Sequence, residues 1–270
     1  MPEFNSGGAS YFWREHGVGD QPAHFIHCSL ASSRAWLPMM AEFEQELSST
    51  AIDMPGHGRT EMPVAGVDLQ VQAANASIAL IEQADGPVHL IGHSYGGTVA
   101  LRIAVERPDL VRSLVLVEPV FFAILDDAGN PEYARLMEVE HSFGKYLETG
   151  DLPRATEAFV GVWGVRNEWQ NMPDERRQKI TSRIWFISMQ ADSIIHRNAV
   201  RISLQDVKKI QVPTLLMRGS ESPEIVHHIN DTLCSAMQNA QQTVVKGAGH
   251  MVPLTHHDQA STIFRGFWGL

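Results

Sequence analysis

The chain contains 270 residues, of which 44% are hydrophobic and 19% charged, a composition typical of a folded globular protein with a sizeable core. Its formal net charge is −10 and no basic stretch offsets that charge, so no nucleic-acid partner is expected. No apolar run reaches the length of about 18 residues that a membrane-spanning helix needs, and no signal peptide is predicted at the N-terminus. Because of this, no membrane partner is expected. Cys28 and Cys234 allow one disulfide at most, and we predict that they are instead two free thiols, which indicates a reducing, cytoplasmic location.

Short apolar runs alternate with helical segments along the chain. In order, the predicted elements are strand AHFIHCS, helix AWLPMMAEFEQEL, strand STAIDMPGHG, helix DLQVQAANASIALIEQA, strand PVHLIGHS, helix GGTVALRIAVERP and strand VRSLVLVEP. Strand VPTLLMRG, helix EIVHHINDTLCSAM and strand QQTVVKGAGH follow near the C-terminus. The first helix is predicted from the spacing of Trp36, Met39, Met40, Phe43 and Leu47. Near-continuous apolar strands that alternate with helices indicate an α/β fold whose mostly parallel sheet is covered on both faces.

The segment between the fourth and fifth of these strands interrupts the alternation. Residues 121–195 have a helical pattern, lack a strand signal and contain three of the six tryptophans. We therefore interpret them as a helical cap inserted between two core strands. On this interpretation, residues 1–120 and 196–270 form the core, and residues 121–195 form a lid over one end of the sheet.

The segment Gly92-His93-Ser94-Tyr95-Gly96 matches the pattern G-x-S-x-G between a predicted strand and a predicted helix. A serine at so sharp a turn presents its hydroxyl above the sheet, and the glycines let neighbouring backbone approach closely. The free N–H groups of the following helix point to the same place. The pattern predicts that Ser94 is a nucleophile, whereas a serine that only caps the helix is the alternative interpretation.

His250 follows the last predicted strand in a loop that also contains Gly247 and Gly249. A serine hydroxyl is a poor nucleophile near neutral pH and needs a base within hydrogen-bond distance. Histidine is suited to that role because its ordinary pKa is about 6.5. Among 13 histidines, this position at the end of the last strand predicts that His250 is the base.

Four segments, HFIHCSLASSRAW, AIDMPGHGRT, GHSYGG and GAGHMVP, together resemble the α/β-hydrolase superfamily, and specifically its capped, esterase-like branch. The resemblance covers the chain except the cap. It implies an eight-stranded, mostly parallel sheet flanked by helices, with a helical cap insertion. It also implies the chain order nucleophile, acid, histidine, and catalysis without a metal or an organic cofactor. A serine nucleophile argues against haloalkane dehalogenase and epoxide hydrolase action, which in this family use aspartate.

The resemblance further implies that the backbone N–H groups of Ser29 and Tyr95 form an oxyanion hole. The family usually has His-Gly where this chain has His27-Cys28. We expect Cys28 to be a small packed residue, since nothing near it in the sequence suggests a reactive thiol.

The acid departs from the family pattern. Ser222 stands where the family usually has aspartate, and Glu221 lies one position earlier. Some members instead carry the acid at the end of the sixth strand, which here is Glu118. A carboxylate that closes an apolar strand needs a partner, and the catalytic imidazole would supply one. Glu118 is therefore favoured as the acid, and Glu221 is the alternative.

These features predict a serine hydrolase that cleaves carboxylic esters of small molecules. Five aromatic residues of the cap are candidates for an apolar pocket wall or for the cap's own core: Phe121, Phe122, Trp163, Trp169 and Trp185. Lactone opening and hydrolytic C–C cleavage on the same residues are alternatives, because fold alone does not fix the reaction. A small-molecule receptor with slow turnover is a further alternative, whereas an intact Ser94 and His250 argue against a degenerate interaction protein.

Overall fold

The computed structural model describes residues 3–165, 167–196 and 200–270. Its strands are β1 (Glu3–Ser6), β2 (Ala9–His16), β3 (Gln21–Ile26), β4 (Leu47–Ile52), β5 (Val88–His93), β6 (Val111–Val117), β7 (Thr214–Gly219) and β8 (Ala240–Val245). Within the described residues they form one eight-stranded sheet in the order β1-β2-β4-β3-β5-β6-β7-β8. The pairs β1–β2 and β2–β4 are antiparallel, and all the other pairs are parallel. The predicted α/β fold with a mostly parallel eight-stranded sheet is therefore confirmed.

The helices cover both faces and one end of the sheet. Those before β6 are α1 (Leu37–Glu42), α2 (Leu69–Ile81) and α3 (Tyr95–Glu106). Between β6 and β7 lie α4 (Ala123–Asp127), α5 (Glu132–Glu148), α6 (Leu152–Trp163), α7 (Glu168–Asn171), α8 (Asp174–Thr181), α9 (Phe186–Ile194) and α10 (Leu204–Val207). After β7 come α11 (Glu224–Ala236), α12 (Val252–Thr255) and α13 (His257–Trp268). Across residues 3–165, 167–196 and 200–270, none of the helices has both the length and the apolar composition needed to cross a lipid bilayer.

Alternating residues of the central strands pack against two different cores. Leu90 of β5 and Leu116 of β6 belong to a buried cluster with residues of α2, α3 and α11. Ile91 and Val117, their neighbours in the chain, belong to a second cluster with residues of α1 and α13. Because successive strand side chains point to opposite faces, a strand with a core on each face must be apolar throughout. This explains why PVHLIGHS and VRSLVLVEP are near-continuous apolar runs.

The N-terminal hairpin of β1 and β2 adds two strands to the six that apolar runs predict. β1 and β2 are joined by Gly7 and Gly8, whose φ values of 56° and 87° suit a two-residue hairpin turn. β1 has no buried residue, and in β2 only Ala9, Tyr11 and Phe12 are buried, so these strands lack the continuous apolar pattern of the central ones. The Gly-Gly pair between alternating residues is the sequence signal that marks it.

The first predicted helix is wrong in its second half. α1 ends at Glu42, and Leu47 instead begins β4, where it pairs with Gln21. Phe43 leaves the helical conformation, with φ −117° and ψ 20°. Leu47 continues the helical spacing because it is buried in the same cluster as Phe43, although it reaches that cluster from a strand.

The helices between β6 and β7 share a core with the sheet. Phe121, Ile124, Phe186 and Ile194 belong to the same buried cluster as Leu116 of β6. The inserted segment is helical, as its pattern predicts. That this segment forms a lid separate from the core stays a prediction.

The strand register brings the candidate site residues to one edge of the sheet. His93 pairs with Val117, and Val117 pairs with Met217, so β5, β6 and β7 end side by side. Ser94 and Glu118 directly follow the ends of β5 and β6. Because parallel strands end at the same edge, residues far apart in the sequence meet there.

Candidate active site

Ser94 occupies a strained turn between β5 and α3. Its φ of 55° and ψ of −119° place a non-glycine residue in a region that costs on the order of 1–3 kcal/mol. The turn is tight enough that a Cβ on Gly92 would lie 2.3 Å from the carbonyl oxygen of Gly96. A Cβ on Gly96 would lie 2.4 Å from the carbonyl oxygens of Ile26 and His27. The pattern G-x-S-x-G thus reflects the space available to the backbone.

Ser94, His250 and Glu118 form a hydrogen-bonded chain. Ser94 Oγ lies 2.9 Å from His250 Nε2, and His250 Nδ1 lies 3.0 Å from Glu118 Oε2. The three residues are 6%, 3% and 0% exposed. A carboxylate at Nδ1 fixes the imidazole so that Nε2 is the unprotonated nitrogen facing the serine hydroxyl. The arrangement therefore has the geometry of a nucleophile, a base and an orienting acid.

Glu118 is held by backbone and side-chain donors on the β7 side. Its own φ of 52° is in the left-handed region, and its Oε1 accepts hydrogen bonds from the Gly219 N–H and from Ser222 Oγ, the latter at 2.6 Å. Ser222, at the family's usual acid position, therefore supports the carboxylate that contacts His250. Glu221 is exposed, and its backbone N–H donates to the Ala248 carbonyl oxygen at 2.8 Å. Of the two candidate acids, the structure brings Glu118 to His250.

Two buried histidines position the backbone around the site, and sequence reasoning missed their role. His93 Nε2 donates to the His250 carbonyl oxygen at 2.9 Å, and burial lowers the pKa of His93 to about 3, so the ring is neutral. His27 Nδ1 donates to the Cys28 carbonyl oxygen at 2.7 Å, while its Nε2 accepts from the Met54 N–H at 3.0 Å. Burial lowers the pKa of His27 as well. In the sequence, each of these histidines lies near the end of a predicted apolar strand, AHFIHCS for His27 and PVHLIGHS for His93.

The two candidate oxyanion donors belong to a residue next to Ser94 in the chain and to a residue that lines the same cavity. Tyr95 begins α3, and the first N–H groups of a helix have no acceptor within it. Ser29 lines the same cavity as Ser94, and its hydroxyl donates to Gln190 Oε1 at 2.5 Å. Cys28 is buried, and burial raises the pKa of its thiol to about 12. The thiol is therefore neutral, as expected for a packed residue.

A cavity of about 460 Å³ opens onto Ser94 between the sheet edge and the inserted helices. Its apolar wall includes Val120, Phe122, Leu136, Phe143, Phe159, Trp163, Ile187 and Ile194. Its polar wall includes Ser29, Glu132, Arg135, Glu140, Ser142, Tyr146, Gln190 and Glu224. Such a mostly apolar cavity with a few polar groups is typical of a small-molecule site.

Two of the five aromatic candidates line this cavity, and three do not. Phe122 and Trp163 are in the wall, and the centroid of the Trp163 ring lies 4.8 Å from the centroid of the His250 ring. Phe121 is fully buried in the core below the cavity. Trp185 stacks on Phe186 at 4.1 Å, and Trp169 contacts the guanidinium of Arg177 at 5.4 Å. The structure thus places these three side chains in packing contacts outside the cavity wall.

One group in the described part of the chain has the donors and spacing to hold a metal ion: Glu42, His257 and Asp258. It lies on α1 and α13 and includes none of the residues of the hydrogen-bonded chain at Ser94. His257 Nε2 already pairs with Asp258 Oδ1 at 2.9 Å.

Comparison with known proteins identifies the family. A family model described as Alpha/beta hydrolase family matches residues 25–261. The chain belongs to this alpha/beta hydrolase family. It is 25% identical over 257 residues to the (E)-2-((N-methylformamido)methylene)succinate hydrolase of Acinetobacter baylyi, covering 93% of this chain and 90% of that protein. It is 28% identical over 264 residues to the non-heme chloroperoxidase of Streptomyces lividans, covering 93% of each.

The solved structures of alpha/beta hydrolases agree with the fold. MGS-M2, an alpha/beta hydrolase from a Medee basin deep-sea metagenome library, superposes with a TM-score of 0.81 at 16% identity. The match covers 100% of this chain and 98% of that one. The predicted resemblance is thus confirmed, and so, at the level of the family, is the prediction of a hydrolase.

Proposed function

We propose that this alpha/beta hydrolase cleaves carboxylic esters of small molecules through an acyl-enzyme on Ser94. The observation that carries the proposal is the hydrogen-bonded chain from Ser94 through His250 to Glu118, at 2.9 Å and 3.0 Å. In the first step, Ser94 Oγ attacks the ester carbonyl carbon while His250 Nε2 takes its proton. Glu118 stabilises the resulting imidazolium, and the imidazolium then protonates the leaving alcohol.

The second step uses the same groups with water as the nucleophile. His250 removes a proton from water, the hydroxide attacks the acyl carbon, and Ser94 leaves with its proton restored. The N–H groups of Ser29 and Tyr95 are proposed to stabilise the oxyanion in both steps. Supporting this, Ser29 and Ser94 line one cavity and Tyr95 directly follows Ser94.

The inserted helices are proposed to act as a lid that shields the acyl group from water. Phe122 and Trp163 from this segment form the apolar wall next to the reacting groups. Free thiols at Cys28 and Cys234 support a protein that works in a reducing compartment.

The proposal is tested by inactivating the nucleophile. Ser94→Ala should lower kcat for p-nitrophenyl esters by about 10⁴- to 10⁶-fold while the protein stays folded. A serine-directed organophosphonate should label the wild type at one site and should not label Ser94→Ala. Labelling that persists in the variant would assign the nucleophile to another residue, and tight ester binding without turnover would favour a receptor. Parallel assays on a lactone and a vinylogous 1,5-diketone would separate ester hydrolysis from lactone opening and C–C cleavage.

A further inference from the structure

Gln190 of α9 presents a buried hydrogen-bond donor that the protein itself does not use. The side chain is 2% exposed and lines the cavity with Ser94. Its Oε1 accepts from Ser29 Oγ at 2.5 Å, which fixes the amide plane. Its Nε2 has no hydrogen-bond partner among the described residues. An unpaired buried donor is unfavourable, so its retention beside the apolar residues of α9 calls for an explanation.

The position of Gln190 limits where a partner for this donor would lie. Ser29, which the Gln190 amide contacts, is also the residue whose backbone N–H is proposed to hold the oxyanion. The Gln190 amide therefore contacts the residue proposed to hold the oxyanion and lines the same cavity as Ser94. The neighbouring residues of α9 that line the cavity, Ile187 and Ile194, are apolar.

The charges around the cavity indicate that the partner is uncharged. Three carboxylates, those of Glu132, Glu140 and Glu224, line it together with one guanidinium. That guanidinium, of Arg135, is paired with Glu132 at 2.9 Å and is mostly exposed. Burial raises the pKa of Glu140, because a buried carboxylate loses hydration, and a buried substrate carboxylate would bear the same cost. A substrate carboxylate would thus meet repulsion without a buried cation to offset it.

We infer that Gln190 selects neutral esters whose acyl group carries an uncharged oxygen acceptor, such as an ether or keto oxygen, next to the scissile carbonyl. The inference rests on the proposed function, because it names the substrate class of that same site. The Gln190 amide donates to this oxygen while the rest of the acyl chain fills the apolar part of the cavity.

The test compares esters that differ by one atom. The probes are p-nitrophenyl pentanoate and its two oxygen-substituted analogues, p-nitrophenyl ethoxyacetate and p-nitrophenyl 3-methoxypropanoate. For each enzyme we take the ratio of kcat/KM for the oxygen-containing ester to kcat/KM for the pentanoate. The intrinsic reactivity of each ester cancels when the same ratio is compared between variants.

Gln190→Met keeps the length of the side chain and removes both amide atoms. Gln190→Glu keeps an acceptor for the Ser29 hydroxyl and loses the donor. For at least one analogue, both variants should lower the ratio about fivefold to tenfold, the effect of one hydrogen bond. Gln83→Met is the matched control, because it makes the same substitution at an exposed residue outside the cavity, whose side chain donates to the Ala79 carbonyl oxygen, and it should leave the ratio unchanged.

Failure of this inference is distinguishable from failure of the proposed function. If all three esters are cleaved in a Ser94-dependent manner but the Gln190 variants keep the wild-type ratios within twofold, the role of Gln190 is overturned and the esterase stands. If none is cleaved in a Ser94-dependent manner, the proposed function is overturned, and this inference with it.

Discussion

Two residues of the hydrogen-bonded chain have backbone conformations that favour glycine. Ser94 and Glu118 have φ values of 55° and 52°. Residues held in this region cluster at functional sites, because the surrounding structure must offset their strain. Each directly follows a central strand, so the strained turn aims its side chain across the sheet edge toward His250.

Substitution of Glu118 tests which carboxylate orients His250. Glu118→Gln should remove about 2–5 kcal/mol of transition-state stabilisation, because an amide no longer stabilises the imidazolium and favours the wrong tautomer. The measurement is kcat/KM for one p-nitrophenyl ester. Glu221→Gln is the matched control and should stay near the wild type, because Glu221 is exposed and lies outside the chain of contacts. A large loss in Glu221→Gln with near-normal Glu118→Gln would reverse the assignment.

Local sequence patterns predict Ser94 and His250 but do not decide between Glu118 and Glu221 as the acid. Glu118 and Glu221 each lie near a predicted strand end, and only the pairing of β6 with β7 shows which carboxylate reaches His250. Gln190 gave no signal, because a polar residue in a helical segment is ordinary. Its burial follows from how α9 packs over the sheet edge, which no local pattern encodes.

The elements with a strong apolar pattern in the sequence are the ones that can be predicted from it. β5, β6 and α3 follow from continuous apolar runs and a glycine-rich turn. The partly exposed hairpin of β1 and β2 lacks such a pattern, and the predicted first helix runs beyond α1 because Leu47 matches a helical spacing from a strand. The helical content of the inserted segment was predictable, whereas the choice of its pocket-facing aromatics depends on tertiary packing.

The turn that carries Ser94 is predicted to be intolerant of any added atom. Gly96→Ala places a Cβ 2.4 Å from two backbone carbonyl oxygens, so the backbone must shift. We expect a loss of at least about 1–3 kcal/mol in the free energy of unfolding, measured by urea denaturation. Gly161→Ala is the matched helical control, because nothing lies within 4 Å of its Cβ, and it should stabilise the protein by up to about 1 kcal/mol. Equal effects of the two substitutions would contradict the close approach at Gly96.

At the scale of the whole molecule, buried neutral histidines make the fold sensitive to acid. Burial lowers the pKa values of His24, His57 and His93 to about 3. In the unfolded chain these rings take up protons near pH 6.5. Between those two values the unfolded state binds more protons than the folded state, so the free energy of unfolding falls as the pH is lowered.

Each such ring should contribute up to about 1.4 kcal/mol per pH unit to this fall. His24→Gln removes one ring outside the candidate site, where Nδ1 lies 2.8 Å from Thr50 Oγ1. Between pH 6.5 and 4.5, the slope of unfolding free energy against pH should decrease by that amount in the variant. Gln83→Met, which changes an exposed residue without a titratable group, should keep the wild-type slope. An unchanged slope in His24→Gln would show that His24 is protonated in the folded protein.

On the proposed mechanism, Ser94 carries a covalent acyl group during turnover. Mass spectrometry of protein quenched in acid while it hydrolyses p-nitrophenyl pentanoate detects this group, and the initial release of p-nitrophenol is measured in parallel. We expect one pentanoyl group per chain, located on Ser94, and a burst of p-nitrophenol of matching size that is absent from Ser94→Ala. Turnover of the ester with Ser94 unmodified and no burst, or an acyl group on another residue, would contradict it.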